Sequence, residues 1–298
     1  MRVLVSGASG FIGSALTPHL RAEGHEVISL HRRTDGTLSS PWWDPKRGLL
    51  DLSGATPLDA VVHLAGENIV GRWTEAKKRK VFDSRVEGTR LLARAAADLP
   101  NKPRAFISAS AIGYYGNRGN ELVDETSPAG TGFLADVCRA WEEAALPAAN
   151  AGIRVASLRF GLVLGASGGP LAKMLPIFRL GLGGPLGNGS QYWSWVAIDD
   201  LIAAVAFILA YENVRGPVNI VAPNPVTNAE FTRILARVLR RPAFFRVPAF
   251  ALRLVFGREP ANEMFLASVR VRPKALQEQG YTFRYSELEP ALRHMTVK

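Results

Sequence analysis

A chain of 298 residues that is 47% hydrophobic and 21% charged has ample material for a large core, which excludes a disordered or fibrous polypeptide. One cysteine, Cys138, excludes a disulfide framework and points to a reducing, cytoplasmic compartment. The apolar run 201–210 is far short of the roughly 20 residues of a membrane span, and the net charge of +10 is scattered apart from Lys77-Lys78-Arg79-Lys80, so an anionic small ligand is expected rather than nucleic acid or a membrane.

The chain opens on the apolar run Arg2-Val3-Leu4-Val5, the turn Ser6-Gly7-Ala8-Ser9-Gly10-Phe11-Ile12-Gly13, and a helix over 14–23 stopped by Gly24. With a strand at the very start, no signal peptide is expected. Strand, glycine-rich turn and helix are the setting of a dinucleotide-binding fingerprint, here with the spacing G-x-x-G-x-x-G. Gly7 allows the tight turn, Gly10 lets a pyrophosphate approach the backbone, and Gly13 lets helix and strand pack closely. The free N–H groups at the helix start complete an anion site. The second strand, 26–30, runs into His31-Arg32-Arg33, with no acid before Asp35. Arginine rather than a carboxylate at this point selects the 2′-phosphate of NADP(H) over the 2′-hydroxyl of NAD.

A short third strand is read over 42–44, with one tryptophan packed either near the adenine or in the core. A buried fourth strand over 59–66 ends in small residues and holds His63 as a core histidine. A helix over 77–97 follows, with the basic run on a solvated face. Then come a strand over 105–110, a helix over 132–151 and a strand over 153–159. Alternation of strand and helix implies an α/β fold, a doubly wound parallel Rossmann sheet covered on both faces. Residues 161–189 are glycine-rich and read as a mobile lid or as simple connectors. A strand over 193–198, Asp199-Asp200 as a helix cap, a helix over 201–211, a strand over 217–221 and a capping box at Thr227-Asn228-Ala229-Glu230 complete the pattern. From Pro242 the tail, with Phe244, Phe245, Phe250 and Phe256, reads as a small helical cap on the substrate side. The division expected is 1–240, with lid and substrate segments over 161–195, and 241–298. The five histidines are dispersed, so no metal site is expected.

Together these residues resemble the extended short-chain dehydrogenase/reductase superfamily over nearly the whole chain: SGASGFIG at 6–13, HLAG at 63–66, SASAIGYYG at 108–116, LRFGLVLG at 158–165 and Asp199-Asp200. AGENI at 65–69, RWTEAKK at 72–78, DSR at 83–85, GGPLGNGSQYWSW at 183–195 and RVRPKAL at 270–276 are similar to an epimerase-family branch of unassigned substrate. The resemblance implies a cofactor along Gly7, Ser9, Gly10, Phe11, Ile12 and Gly13, then Arg32 and Arg33. Leu64, Ala65, Gly66, Glu67, Arg85 and Ser108 continue its path.

The superfamily's chemistry, as the resemblance implies it, needs a tyrosine, a lysine four residues on, a serine and an asparagine. Ser110 or Ser108 stands at the serine position. Leu134 stands at the tyrosine, Cys138 at the lysine and Arg85 at the asparagine, so three of the four side chains are changed. Tyr114 and Tyr115, after the strand over 105–110, are the replacement candidates for acid/base work, with Ser110 beside them; a buried, inert thiol is expected at Cys138. Two readings follow: an NADP(H)-dependent oxidoreductase or epimerase-like enzyme acting on a small molecule as a monomer or homodimer, or an NADP(H)-binding sensor or regulator that has lost catalysis. The glycine-rich segment and Tyr192-Trp193-Trp195 favour the enzyme.

Overall fold

The computed structural model describes residues 1–33 and 40–296, so Asp35 lies outside the described residues. The first part of the chain forms β1 (Arg2–Ser6), α1 (Phe11–Ala22), β2 (Glu26–Arg32), β3 (Trp42–Asp44), β4 (Leu49–Asp51), β5 (Ala60–His63), α2 (Glu75–Asp98), β6 (Ala105–Ala111), β7 (Leu122–Val123), α3 (Phe133–Glu143), α4 (Leu146–Asn150) and β8 (Arg154–Phe160). The rest forms β9 (Leu162–Leu164), α5 (Gly169–Arg179), β10 (Tyr192–Trp193), β11 (Trp195–Ala197), α6 (Ile198–Ala210), β12 (Gly216–Ile220), β13 (Val226–Thr227), α7 (Asn228–Leu239), α8 (Ala249–Phe256) and α9 (Arg258–Pro260). After a π-helical turn, Ala261–Phe265, come β14 (Arg270–Val271), α10 (Lys274–Glu278) and α11 (Leu288–Thr296).

The eight-stranded sheet has the order β4-β3-β2-β1-β5-β6-β8-β12, parallel except where β4 turns back against β3. Its strands are near-continuous apolar runs because both faces are covered. Val3, Val5, Val62, Ile107 and Leu158 face a core shared with Leu16 and Leu20 of α1 and Leu201 and Val205 of α6. Leu4, Leu30, Val61 and Phe106 face Leu92 and Ala96 of α2 and Ala148 of α4. From β1 the chain winds out through β2, β3 and β4, then returns to place β5 on the other side of β1. The crevice of a doubly wound sheet opens at such a reversal, at the carboxyl ends of the strands. It falls here at Ser6 and His63, which are in register.

Several local expectations change. The single helix over 132–151 is two helices, because Pro147 lacks the N–H and sterically opposes the carbonyl four residues back. The edge strand β4 was not read from its three-residue run. Asp200 does not cap its own helix. Its buried carboxylate accepts from the backbone N–H groups of Arg284 (2.7 Å) and Tyr285 (2.9 Å), fastening the tail to α6. The basic run is not simply solvated, since Lys77 pairs with Glu67 and Lys78 with Glu259.

The glycines of 161–189 have a packing reason that composition does not reveal. A Cβ at Gly168 would lie 2.3 Å from the Phe11 ring, one at Gly161 2.5 Å from the Ser194 carbonyl, and one at Gly184 2.0 Å from the Phe245 carbonyl. The tail is woven into the body: Leu276 and Phe283 join the α1/α6 core, Leu288 and Leu292 pack with Phe231 and Leu235 of α7, and β14 pairs with β7.

Candidate functional site

At the carboxyl end of β1 the backbone turns at Gly7, whose φ of +73° is one that side chains disfavour. A Cβ there would stand 2.8 Å from the Ala65 nitrogen, so the turn lies directly on the end of β5. A Cβ on Gly13 would meet the Gly7 carbonyl at 2.2 Å, which fixes how closely α1 approaches the turn. Gly10 is exposed and is the N-cap of α1, with no side-chain cap and no acid in the first turn. Ser9 is exposed, Ile12 half-buried, and the Phe11 ring is seated against Gly165, Gly168 and Gly169. The first N–H groups of a 12-residue helix are thus left without a side-chain cap at an exposed glycine, a set of donors that suits a phosphate.

Arg32 and Arg33 are both exposed at the end of β2. The Arg33 guanidinium lies 4.4 Å from the centre of the Trp42 ring, while Arg32 donates to no described residue. Trp43 goes to the core: it is 2% exposed, edge-on to His63. Ser6 Oγ accepts from the Ala65 nitrogen (3.4 Å) and lies 2.5 Å from His63 Nδ1. Burial pushes the His63 pKa down to about 4, and its Nε2 has no partner. His63 is therefore a neutral residue of the crevice floor.

Leu64 and Ala65 are half-buried and Gly66 exposed along the loop that leaves β5. Arg85 donates to the Glu67 carbonyl (3.0 Å) and lies 5.0 Å from the Trp141 ring centre. Burial keeps its pKa below the usual guanidinium value. The Glu67 side chain accepts from Lys77 (2.9 Å), and this hydrogen bond, helped by the Lys77 charge, holds its carboxyl below the ordinary range against the effect of burial. Ser108 is buried and donates only to the Ala109 carbonyl, at 3.3 Å.

The expected catalytic residues separate. Ser110, Arg159 and Asn219 lie in register across β6, β8 and β12. Ser110 Oγ donates to Glu142 Oε1 (2.7 Å); Arg159 donates to both Glu142 oxygens (2.8 Å each) and to Tyr115 Oη (2.9 Å); Tyr115 Oη donates to Asn219 Oδ1 (2.8 Å). Burial opposes the Arg159 charge, but the Glu142 hydrogen bonds and charge outweigh it and the proton is held above the ordinary value. Tyr115 is fully buried, and burial pushes its hydroxyl up to about 12. The expectation that Tyr115 faces the crevice as an acid/base is corrected: it is an interior strut. Tyr114 is half-buried, with the Arg159 guanidinium 3.5 Å from its ring centre.

Cys138 is buried, and its thiol is pushed up to about 12 by the loss of solvent. It packs with Leu134 against Gly113. Sequence reasoning missed Glu263 entirely. Its carboxylate, from the π-helical turn, accepts from the Phe133 (3.0 Å) and Leu134 (2.8 Å) nitrogens at the start of α3. Gly132, with φ of +112°, makes room, since a Cβ there would be 2.8 Å from Glu263 Oε1. An acid 129 residues away from the helix it caps leaves no local sequence signal. Among the described residues no group of acidic, His and Cys side chains is placed to hold a metal. Two surface grooves that include Arg104 and Arg154 lie at the amino ends of β6 and β8, the end a doubly wound sheet does not use.

The NAD dependent epimerase/dehydratase family matches residues 3–221, and a domain of unknown function, DUF1731, matches residues 247–295. Epimerase family protein Mb2239 of Mycobacterium bovis is 43% identical over 297 residues, 99% of this chain and 98% of that protein. The crystal structure of human epimerase family protein SDR39U1 (isoform 2) with NADPH superposes with a TM-score of 0.91 at 38% identity, covering 99% of both chains. The nucleoside-diphosphate sugar epimerase of Corynebacterium glutamicum superposes with a TM-score of 0.80 at 37% identity, over 98% of this chain and 57% of that one.

Proposed function

The chain belongs to the NAD dependent epimerase/dehydratase family, and from that premise we propose that it binds NADP(H) and acts as an oxidoreductase or epimerase-like enzyme on a small molecule. The observation that carries the cofactor is the uncapped start of α1 at exposed Gly10, with Arg32 exposed at the end of the neighbouring strand and donating to no described residue. The NADPH in the human relative's structure supports the same choice. Gly7, Gly10 and Gly13 bring backbone to the pyrophosphate, and the N–H groups of Phe11 and Ile12 donate to it. Arg32 meets the 2′-phosphate, while Arg33, held on Trp42, walls that side. Leu64, Ala65 and Gly66 line the middle of the path, with Arg85 behind Gly66 and Ser9 at the mouth.

NADP(H), when bound, supplies hydride chemistry. The chain's own task is then to hold and move a proton on the substrate side. Tyr115 and Cys138 are kept protonated by burial, and Ser110 is committed to Glu142. Tyr114 and Glu263 remain. The Glu263 carboxylate sits on the amides of the segment where the superfamily carries its tyrosine, and it is the acid/base we assign, with Tyr114 beside the network.

Titration with NADPH and NADH tests the cofactor. A charge-assisted phosphate contact of about 1.5–3 kcal/mol corresponds to a preference for NADPH of roughly 10- to 150-fold. The preference vanishes in Arg32→Ala, and equal affinities in the wild type would refute the clamp. A screen for hydride transfer then compares the wild type with Tyr114→Phe and Glu263→Gln. Lost turnover with unchanged NADPH affinity supports the enzyme. The second reading, a sensor or regulator, is favoured by the apolar Leu134 and the neutral thiol at the two usual catalytic positions; it is chosen if NADPH binds and no substrate is turned over.

A further inference from the structure

Fourteen large apolar side chains are exposed among the described residues, and eight of them lie in two short stretches, 177–182 and 244–255. Leu180 is 74% exposed, and Phe244, Phe250 and Leu254 are each 71% exposed. The stretches form one surface. The Phe245 nitrogen donates to the Gly183 carbonyl (3.1 Å), the Val247 nitrogen to the Pro185 carbonyl (2.9 Å), and Arg241 Nε to the Arg179 carbonyl (2.9 Å). Within α8 the inner face is anchored by buried Leu252 and by Phe256 against Phe265, at 4.7 Å between ring centres. The outer face carries Phe250 and Leu254, one turn apart, and touches nothing that buries them. Arg72 fixes the helix end by donating to the carbonyls of Leu254 (2.6 Å) and Val255 (3.0 Å).

The charge along these stretches of the chain is all of one sign. Between Glu230 and Glu259 there are seven arginines and no acid, and between Glu143 and Asp199 there is no acid either. Arg179, Arg240, Arg241, Arg246 and Arg253 are all exposed. A folded surface that keeps its aromatic tips in water, with exposed arginines along the same stretches, is complementary to an anionic interface that is apolar just beneath.

We propose that this face docks on the surface of an anionic lipid bilayer, with Phe244, Phe250, Leu254 and Leu180 entering the headgroup boundary and the arginines meeting the lipid phosphates. A second copy of the chain fits poorly, because a twofold contact would set these arginines against their own equivalents with no acid to offset them. An acidic protein would need a shaped cleft to seat its side chains, whereas side chains more than two-thirds exposed project outward and suit a soft medium. No helix among the described residues is long and apolar enough to cross a membrane, so the contact is peripheral.

The test is co-sedimentation of the full chain with vesicles of phosphatidylcholine alone and of phosphatidylcholine with about one-third phosphatidylglycerol, in low and high salt. Binding is expected only to the anionic vesicles and weakens with salt. Arg240→Gln, Arg241→Gln and Arg246→Gln together lower the partition coefficient by about a hundredfold, roughly five-fold for each arginine. Phe250→Ser with Leu254→Ser lowers it by roughly tenfold or more for each side chain. Phe250→Trp, a conservative change on an exposed face, gives a blue-shifted emission on anionic vesicles only. No binding to anionic vesicles, equal binding to both kinds, or binding indifferent to the Phe250 and Leu254 substitutions overturns the proposal. So does a wild-type dimer in light scattering that the Phe250→Ser, Leu254→Ser variant converts to monomer, since the face would then be a self-interface.

Discussion

Glutamine at position 142 is a stringent perturbation of the buried network. The Glu142 carboxylate takes three donors, Ser110 Oγ and Arg159 Nε on one oxygen and Arg159 Nη2 on the other, all within 2.8 Å. Arg159 is 2% exposed, so water cannot replace a lost partner. Glu142→Gln keeps the shape but turns an NH2 group toward a guanidinium N–H and leaves a positive charge buried without compensation. One hydrogen bond to a charged group is worth about 1.5–3 kcal/mol, and breaking a buried pair from one side costs about 3–5 kcal/mol in all. Against a total stability of about 5–15 kcal/mol that is a large fraction. Arg159→Met added to Glu142→Gln removes the stranded charge, so the double variant is more stable than Glu142→Gln alone, with a coupling of about 1–3 kcal/mol. Urea unfolding followed by tryptophan fluorescence reads this directly, because Trp141 precedes the mutated residue and is itself buried. A cost below about 1 kcal/mol for Glu142→Gln, or costs that simply add in the double variant, would refute the reasoning and mean that solvent reaches Arg159.

Three further outcomes are expected. Gly13→Ala forces a Cβ to 2.2 Å from the Gly7 carbonyl and costs about 2–3 kcal/mol, whereas Gly10→Ala, with 3.2 Å to the same oxygen, changes stability by less than about 1 kcal/mol while weakening NADPH binding; melting and cofactor titration separate the two, and equal effects would contradict the division of roles. His63, with a folded pKa of about 4 against an ordinary 6.5, is harder to protonate folded than unfolded, so its contribution is complete above about pH 6.5 and is lost as pH falls toward 4, about 3 kcal/mol in total. Urea midpoints at pH 7.5 and pH 5 should diverge more in the wild type than in His63→Gln. Asp200→Asn sets an NH2 against one of the two backbone N–H groups that the carboxylate holds and costs about 1–3 kcal/mol; hydrogen exchange confined to residues 281–292 would rise, and an unchanged pattern there would count against the clasp.

What could be read from sequence was local. The turn at Gly7, Gly10 and Gly13 was legible because its causes, a positive φ and a close helix start, lie within eight residues. The capping box at Thr227 and Glu230 was legible for the same reason, and the structure has both of its hydrogen bonds. Tyr115 was not legible. Its fate is set by Arg159 and Asn219, 44 and 104 residues away, and nothing in the tripeptide around it distinguishes an interior strut from a crevice residue. The packing of the glycines of 161–189 was not legible for a related reason. Composition registers their freedom, but the need for them comes from what they face, Phe11 at one end and Phe245 at the other. Glu263 and Asp200 each act on backbone N–H groups far along the chain, and a backbone donor has no sequence identity to pair with.

The two halves of the crevice are held by different parts of the chain, and this explains how one can keep its form while the other changes. The phosphate end, as proposed, depends on glycine, on backbone N–H groups and on one arginine, so its chemistry survives wherever the strand-turn-helix geometry survives. The proton-handling end of the superfamily depends on side chains projecting from one helix. By the resemblance, Leu134 and Cys138 stand at those positions, and both pack against Gly113, where a Cβ would already be 3.2 Å from Leu134 Cβ. Restoring tyrosine and lysine at 134 and 138 would therefore meet packed neighbours, with Arg85 already present, the Glu263 carboxylate on the Leu134 amide and Glu142 occupied by Arg159. A carboxylate from the tail caps α3, and the Glu142–Arg159 ion pair locks β6, β8 and β12. In the proposed enzyme, the proton is therefore handled from the tail's side of the crevice, where Glu263 caps α3, and not by buried Tyr115.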